Sequence, residues 1–259
     1  MVKASLDVNL VRGDAEGRLL KEAIPLAISE YDRNAVYEAV RLRDALGGKV
    51  YILSVLTWGP TQRRMRDFEN VVREALALGG DEAHVVVDEA AVEAGPKATA
   101  YILSKLVGKL GDVGLVLCGE ASMDMMASQV SNYLASYLGY NSVTFVRELS
   151  IEGGKVRCKR DLENYVEMVE TELPAVISVT GEINKPRLPT LLQIRRAFAK
   201  PLKTYSLSDI GVSELPKQTP TKYELVKVSR KNIIIEGASM EEIASKLVDK
   251  LIEEGVLRR

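Results

Sequence analysis

The chain reads as an α/β protein built on an open, mainly parallel sheet. Three features predict this class. Short apolar runs at residues 50–56, 84–87 and 114–118 are continuous rather than alternating, as in strands buried on both faces. Stretches with helical spacing lie between them. Glycine and proline punctuate the joins, at Gly47-Gly48, Gly79-Gly80, Gly95-Pro96 and Gly119. This order of strand and helix runs to about Val146 and implies right-handed crossovers.

The elements follow in chain order. Residues 8–12 and 19–20 flank a turn at 13–17 and suggest a surface hairpin. Ser29 or Asp32 can cap a helix with apolar positions Ala35, Val36, Ala39, Val40 and Leu42, which Gly47-Gly48 ends. After the strand at 50–56 comes Trp58, the single tryptophan, then a helix over 61–78. Its arginines, Arg63, Arg64, Arg66 and Arg73, read as a solvated face. His84 opens the next strand and is assigned no role. Pro96 sits near the first turn of a helix over 98–110. The strand at 114–118 leads through a polar loop at 120–127 to Ser128, a candidate N-cap for a helix ending at Tyr137. A strand begins at 143–146.

The pattern then changes. Residues 149–158 form a hairpin around Gly153-Gly154. Pro186 and Pro189 hold an extended segment, and Thr190 caps a short basic helix. Residues 213–223 read as an extended linker, 231–237 as a strand, and Ser239 as the cap of a final helix over 240–254. Its stripe is Ile243, Leu247, Val248 and Leu251. A lone strand and helix after an arm cannot bury their apolar faces by themselves, so they need the main domain or another chain.

Composition narrows the function. Lysine and arginine number 35 against 36 acids, a net charge of −1, which gives no reason to expect nucleic acid or anionic lipid as partner. Cys118 and Cys158 fall in strands and read as buried thiols, which suits a reducing, cytoplasmic compartment. No apolar run approaches the ~18 residues of a membrane span, so no membrane insertion is expected. One histidine and two cysteines do not make a transition-metal site.

The loop after residues 114–118 leaves the C-terminal end of a parallel strand and enters a helix N-terminus. Free N–H groups and the helix dipole point there, where anions and nucleotides bind in open α/β sheets. The alternative is an ordinary crossover with no ligand. Trp58 shares that strand-end face, either as core packing or as a wall beside a nucleotide.

Gly119, Asp124, Gln129 and Val130 fit the adenine-nucleotide loop G-x-Q-A-I-D-[GD]-D-x-x-Q-[VT]-G, with Met126 in place of an acid and Ser131 in place of a glycine. Residues 28–35 are similar to I-N-P-[FY]-[DC]-E-x-A. Glu167, Val169, Pro174, Val176, Ile177 and Ser178 fit a further signature. Residues 184–197 match N-x-P-R-x-x-[TS]-L-x-x-I-x-x-A. On these motifs the chain resembles the electron-transfer flavoprotein beta subunit from Val2 to Leu257. The resemblance implies a Rossmann-like, adenine nucleotide alpha-hydrolase-like domain at 1–190. Residues 191–259 would be an arm and tail that pack on an alpha subunit. It implies an electron carrier rather than a stand-alone enzyme, with FAD in the complex and AMP or a second FAD in this chain. The implied cofactor-binding residues are Ser29, Glu30, Tyr31, Asp32 and Trp58, then Gly119, Glu120, Ala121, Ser122, Met123 and Asp124, and Met125, Met126, Ala127, Ser128, Gln129 and Val130. The implied partner-binding residues are Arg187, Leu191, Arg195 and Arg196. The implied partners are the alpha subunit in a heterodimer, dehydrogenases and a quinone oxidoreductase. The alternatives are an electron-bifurcating subunit using NADH and a non-redox nucleotide-binding α/β module. An adenine-nucleotide enzyme would want a phosphate-gripping glycine loop with a catalytic lysine in it, and no such loop is present in the sequence. The resemblance also places an apolar strand ahead of Val2, which implies either a start site upstream of Met1, the favoured reading because the first strand of such sheets is usually central, or a branch that has lost the strand.

Overall fold

The computed structural model describes residues 1–216, 223 and 230–258. The chain forms two units, Met1–Tyr223 and Glu224–Arg259. In the first, strands β1 (Ala4–Leu6) and β2 (Leu26–Ile28) pair antiparallel. Helix α1 (Glu30–Leu46) leads to β3 (Tyr51–Val55), α2 (Thr61–Ala77) to β4 (Glu82–Val86), and α3 (Pro96–Leu110) to β5 (Leu115–Gly119). Helix α4 (Val130–Leu138) follows, ended by Gly139 at φ 68°. A left-handed residue there satisfies the last carbonyls, and glycine adopts it without strain.

The sheet is in two halves. One is parallel, in the order β10-β4-β3, where β10 is Leu202–Tyr205. The other has the order β5-β9-β6-β7-β8, built from β6 (Asn141–Glu152), β7 (Lys155–Leu162), β8 (Tyr165–Glu172) and β9 (Ala175–Val179). Here β5, β9 and β6 are parallel, while β6-β7-β8 is an antiparallel meander. The Gly153-Gly154 hairpin is its first turn.

Alternation in the strands sets the layers. Ile52 faces a core with Ile24, Phe68, Val72 and Leu76. Its neighbours Leu53 and Val55 face another, with Ile102, Leu106, Val116 and Leu134. Leu117 joins Ala35, Leu42, Val143 and Ile177 in a third. Successive side chains of a strand point to opposite faces, so helices cover both sides and the apolar runs are continuous.

Several sequence expectations change. The helix placed from Ser128 begins at Val130, after Gln129, because Ser128 takes a left-handed φ of 50°. Ser29 precedes α1 but its hydroxyl makes no capping bond, and Asp32 is turned inward. The turn at 13–17 closes a single bridge, Gly13 to Leu19, rather than a ladder. Arg64 and Arg73 are not solvated. Arg64 is buried and donates to the carbonyls of Ile24 and Lys21, and Arg73 donates to those of Ala197 and Lys200. Residues 231–237 form no strand, and the described residues of their unit offer no ladder partner. Their unit holds helix α6 (Met240–Glu253), capped by Ser239 as expected. Helix α5 (Leu191–Ala197) carries the capping box of Thr190 and Gln193. Most of the expected linker, 217–222, lies outside the described residues. Cys118 and Cys158 are buried free thiols, and burial pushes each up to about 11. No helix among the described residues is long and apolar enough to cross a membrane.

Candidate functional site

A cavity of about 460 Å³ opens at the C-terminal ends of β3 and β5. That volume lies within the usual ligand range. Its floor is the loop from β5 to α4, through Gly119, Glu120, Ala121 and Ser122, then Ala127, Ser128 and Gln129. Trp58, Val92, Pro96 and Leu103 are among its apolar walls. The first turn of α4 points its unpaired N–H groups to this side. Met126 and Ser128, at φ 46° and 50°, interrupt right-handed backbone just before it, and such alternation makes N–H groups converge. No arginine lines the cavity among the described residues. An anion there would be held by backbone and helix dipole more than by side-chain charge.

The loop is held from three sides. Gly119 lies against α1: a Cβ there would meet Tyr31 Cβ at 2.7 Å and Asp32 Oδ1 at 2.8 Å, so no larger residue fits. The Asp32 carboxylate accepts from Lys3 N at 2.8 Å and from the Gly119 backbone. Burial raises its pKa to about 6, against these bonds and the nearby Met1 amine. Asp124 accepts from Lys3 Nζ at 2.6 Å, Leu6 N at 3.0 Å and the Trp58 indole at 2.8 Å. Trp58 is therefore both packing and wall, 6% exposed with one face on the cavity.

Of the residues read from sequence, Asp32, Trp58, Gly119, Glu120, Ala121, Ser122, Met125, Ala127, Ser128, Gln129 and Val130 line the cavity. Ser29, Glu30, Tyr31, Met123, Asp124 and Met126 do not. Ser29 is fully buried, Met126 points to solvent, and Tyr31 bonds Glu120, whose carboxyl is raised by burial and by Glu182. Lys3, Val92 and residues 93–96 also line it, beyond what the motifs indicate. The signal for the last was Gly95-Pro96, which follows β4 on the same strand-end face. On α5, Leu191 is 86% exposed, with Arg195 and Arg196 exposed beside it, and Arg187, ahead of the helix, is exposed too. Among the described residues no cluster suits a metal ion.

Residues 18–210 match the family model of the electron transfer flavoprotein domain. The electron transfer flavoprotein subunit beta of Thermoanaerobacterium thermosaccharolyticum is 35% identical over 266 aligned positions, covering 99% of this chain and 98% of that one. The subunit beta of Clostridium acetobutylicum is 32% identical, over 92% and 91% of the two chains. The caffeyl-CoA reductase-Etf complex subunit CarD of Acetobacterium woodii is 30% identical, over 97% and 96%. With its α/β fold, its motifs and this coverage, the chain belongs to the electron transfer flavoprotein family, among the beta subunits.

Proposed function

We propose that this chain binds AMP in the cavity at the ends of β3 and β5, as the beta half of a heterodimer whose alpha subunit carries the redox FAD. The observation that carries the reading is the coincidence of that cavity with the first turn of α4 and the family motif. The backbone of Ser128, Gln129 and Val130 would hold the phosphate, and Trp58 and Val92 would flank the base. The flavin, where bound, supplies the electron chemistry, and the protein positions it. In this chain the residues that line the cavity would exclude water from the nucleotide and fix the loop. Electrons would pass from dehydrogenases to a downstream acceptor such as a quinone oxidoreductase. Residues 191–259 would pack on the alpha subunit. Leu191, with Arg187, Arg195 and Arg196, would dock the dehydrogenase: one exposed apolar anchor among cations selects a site and speeds encounter with acidic partners.

A second reading draws on the Acetobacterium relative, named as part of a reductase complex. In it the chain stays with its dehydrogenase, takes a second FAD and serves a flavoprotein that uses NADH. One experiment separates the two. The complex is purified with both chains, denatured, and its small molecules are resolved and counted. AMP with one flavin per heterodimer supports the first reading, and two flavins support the second. Neither nucleotide in a complex of intact chains would refute both.

A further inference from the structure

The cavity at the ends of β3 and β5 holds one residue from far outside the motifs. Tyr223, in the stretch that the sequence reads as an extended linker, lines it together with Trp58. The two rings meet edge to face, with centroids 6.0 Å apart and planes at 62°. Tyr223 packs against the core that contains Trp58, Ile24 and Phe68. It is also the last residue of the first unit, and the second begins at Glu224. A mere spacer gains nothing from seating a large aromatic ring in a ligand cavity.

Neighbouring groups fix this corner. The Lys21 ammonium lies 4.9 Å from the Tyr223 centroid and 5.7 Å from that of Trp58, so one cation is shared by two π systems. Glu93 pairs with that ammonium. Glu93 stands at a left-handed φ of 60° and donates its N–H to Thr57 O at 2.8 Å, which ties the segment after Val92 to the one before Trp58. Gly59 presses on Val92: a Cβ there would meet Val92 Cγ1 at 2.6 Å. Trp58 and Val92 are therefore adjoining walls, and Tyr223 adds a second ring to them. The loop and the first turn of α4 supply the cavity's N–H groups, and this corner supplies its flat apolar surface.

We propose that Tyr223 is a nucleotide-binding residue, which forms with Trp58 the aromatic corner that receives the adenine base. This role rests on the reading that the cavity holds AMP, or the AMP moiety of FAD. A purine has two flat faces and a polar edge, and an aromatic wall recognises the faces whatever the edge carries. The phosphate is left to the backbone at the start of α4. Tyr223 thus acts on the base and not on the ribose phosphate, and the two contributions can be measured apart.

The test uses the complete heterodimer, freed of its nucleotide by partial denaturation and refolding. Binding of AMP is measured by calorimetry, and that of ribose 5-phosphate by competition against AMP, for the parent, Tyr223→Phe and Tyr223→Leu. Leucine keeps apolar contact with the core but has no π face. Tyr223→Met repeats the comparison with an unbranched side chain. AMP affinity is expected to fall about tenfold or more in the Leu and Met variants and to stay near the parent's in Tyr223→Phe. Ribose 5-phosphate should bind all four alike. Equal AMP affinity in the parent and the two non-aromatic variants overturns the proposal and leaves AMP in the cavity. An equal loss for both probes marks a general loosening of the cavity and overturns it too. A parent heterodimer that binds neither AMP nor FAD refutes the underlying reading, and the role of Tyr223 with it.

Discussion

Lys3 Nζ lies 2.6 Å from Asp124 Oδ1, so the N-terminal segment clamps the loop that follows β5. Leu6 N and the Trp58 indole donate to the other carboxylate oxygen. Burial pushes the Asp124 carboxyl up, but Lys3, Ser122 and Trp58 outweigh it and hold its pKa below the usual value. Its side chain is 3% exposed and that of Lys3 27%, so removing it takes the counterion from a half-buried ammonium and the acceptor from two N–H groups. Asp124→Ala is expected to cost about 3 kcal/mol in urea unfolding. Asp124→Asn keeps an acceptor for one donor and should cost less. Both variants should also loosen the loop, read as faster exchange of residues 120–129.

Asp32 sets an opposite pH dependence. Its folded pKa of about 6 lies above its ordinary 3.8, so between those values the native state binds the proton more readily than the unfolded chain. Its contribution is therefore fully present below about pH 4 and is lost as pH rises through 6. A displacement of that size corresponds to about 3 kcal/mol at most. Measured as the difference between the parent chain and Asp32→Asn from pH 4 to 7, that downward slope should be present in the parent only. A flat difference would show that the carboxyl ionises normally.

Arg64 ties α2 to the segment before β2. It is 4% exposed, donates to Ile24 O at 2.7 Å and to Lys21 O, and burial lowers its pKa. Asp67, at 3.7 Å, is a weak counterion. Arg64→Met fills similar volume yet takes the guanidinium from Ile24 O, at about 1–3 kcal/mol if water does not replace it, while Lys21 O keeps the Ile24 N–H. Arg66→Met, on the exposed face of the same helix, should change stability by less than about 0.5 kcal/mol. Comparing their denaturant midpoints tests the contrast.

That contrast also marks what the sequence could tell. Helical spacing put the four arginines of α2 on a helix, but which of them meets a carbonyl depends on a segment 40 residues away. The order of elements from α1 through β5 was legible, because strands buried on both faces must be apolar throughout, whereas the short pair β1 and β2 was not. That β3 and β5 do not pair with each other was not, since sheet pairing is not a local property. The loop at 119–130 stood out by its motif and does floor the cavity. The clamp of Lys3 and Trp58 on Asp124 did not, because it joins residues 121 and 66 positions apart. Residues 231–237 carry strand propensity with no ladder partner among the described residues of their unit, and propensity alone does not make a strand.

Leu191→Ala tests the docking role. A leucine in its own core would be buried, and its truncation would cost about 2–5 kcal/mol. Leu191 is 86% exposed, and its helix is held by the capping box of Thr190 and Gln193 rather than by that side chain. The melting temperature and nucleotide content of Leu191→Ala should therefore match the parent. An exposed leucine that becomes buried on docking contributes about 2 kcal/mol, a factor of about 30 in affinity. Reduction of the heterodimer by its dehydrogenase should slow by up to that factor at limiting concentration and recover at saturation. Reversing the charges of Arg195 and Arg196 should instead lower the association rate and flatten its dependence on salt. Normal reduction kinetics in Leu191→Ala, at every concentration, would remove α5 as the docking element and leave its exposed apolar face to the alpha subunit.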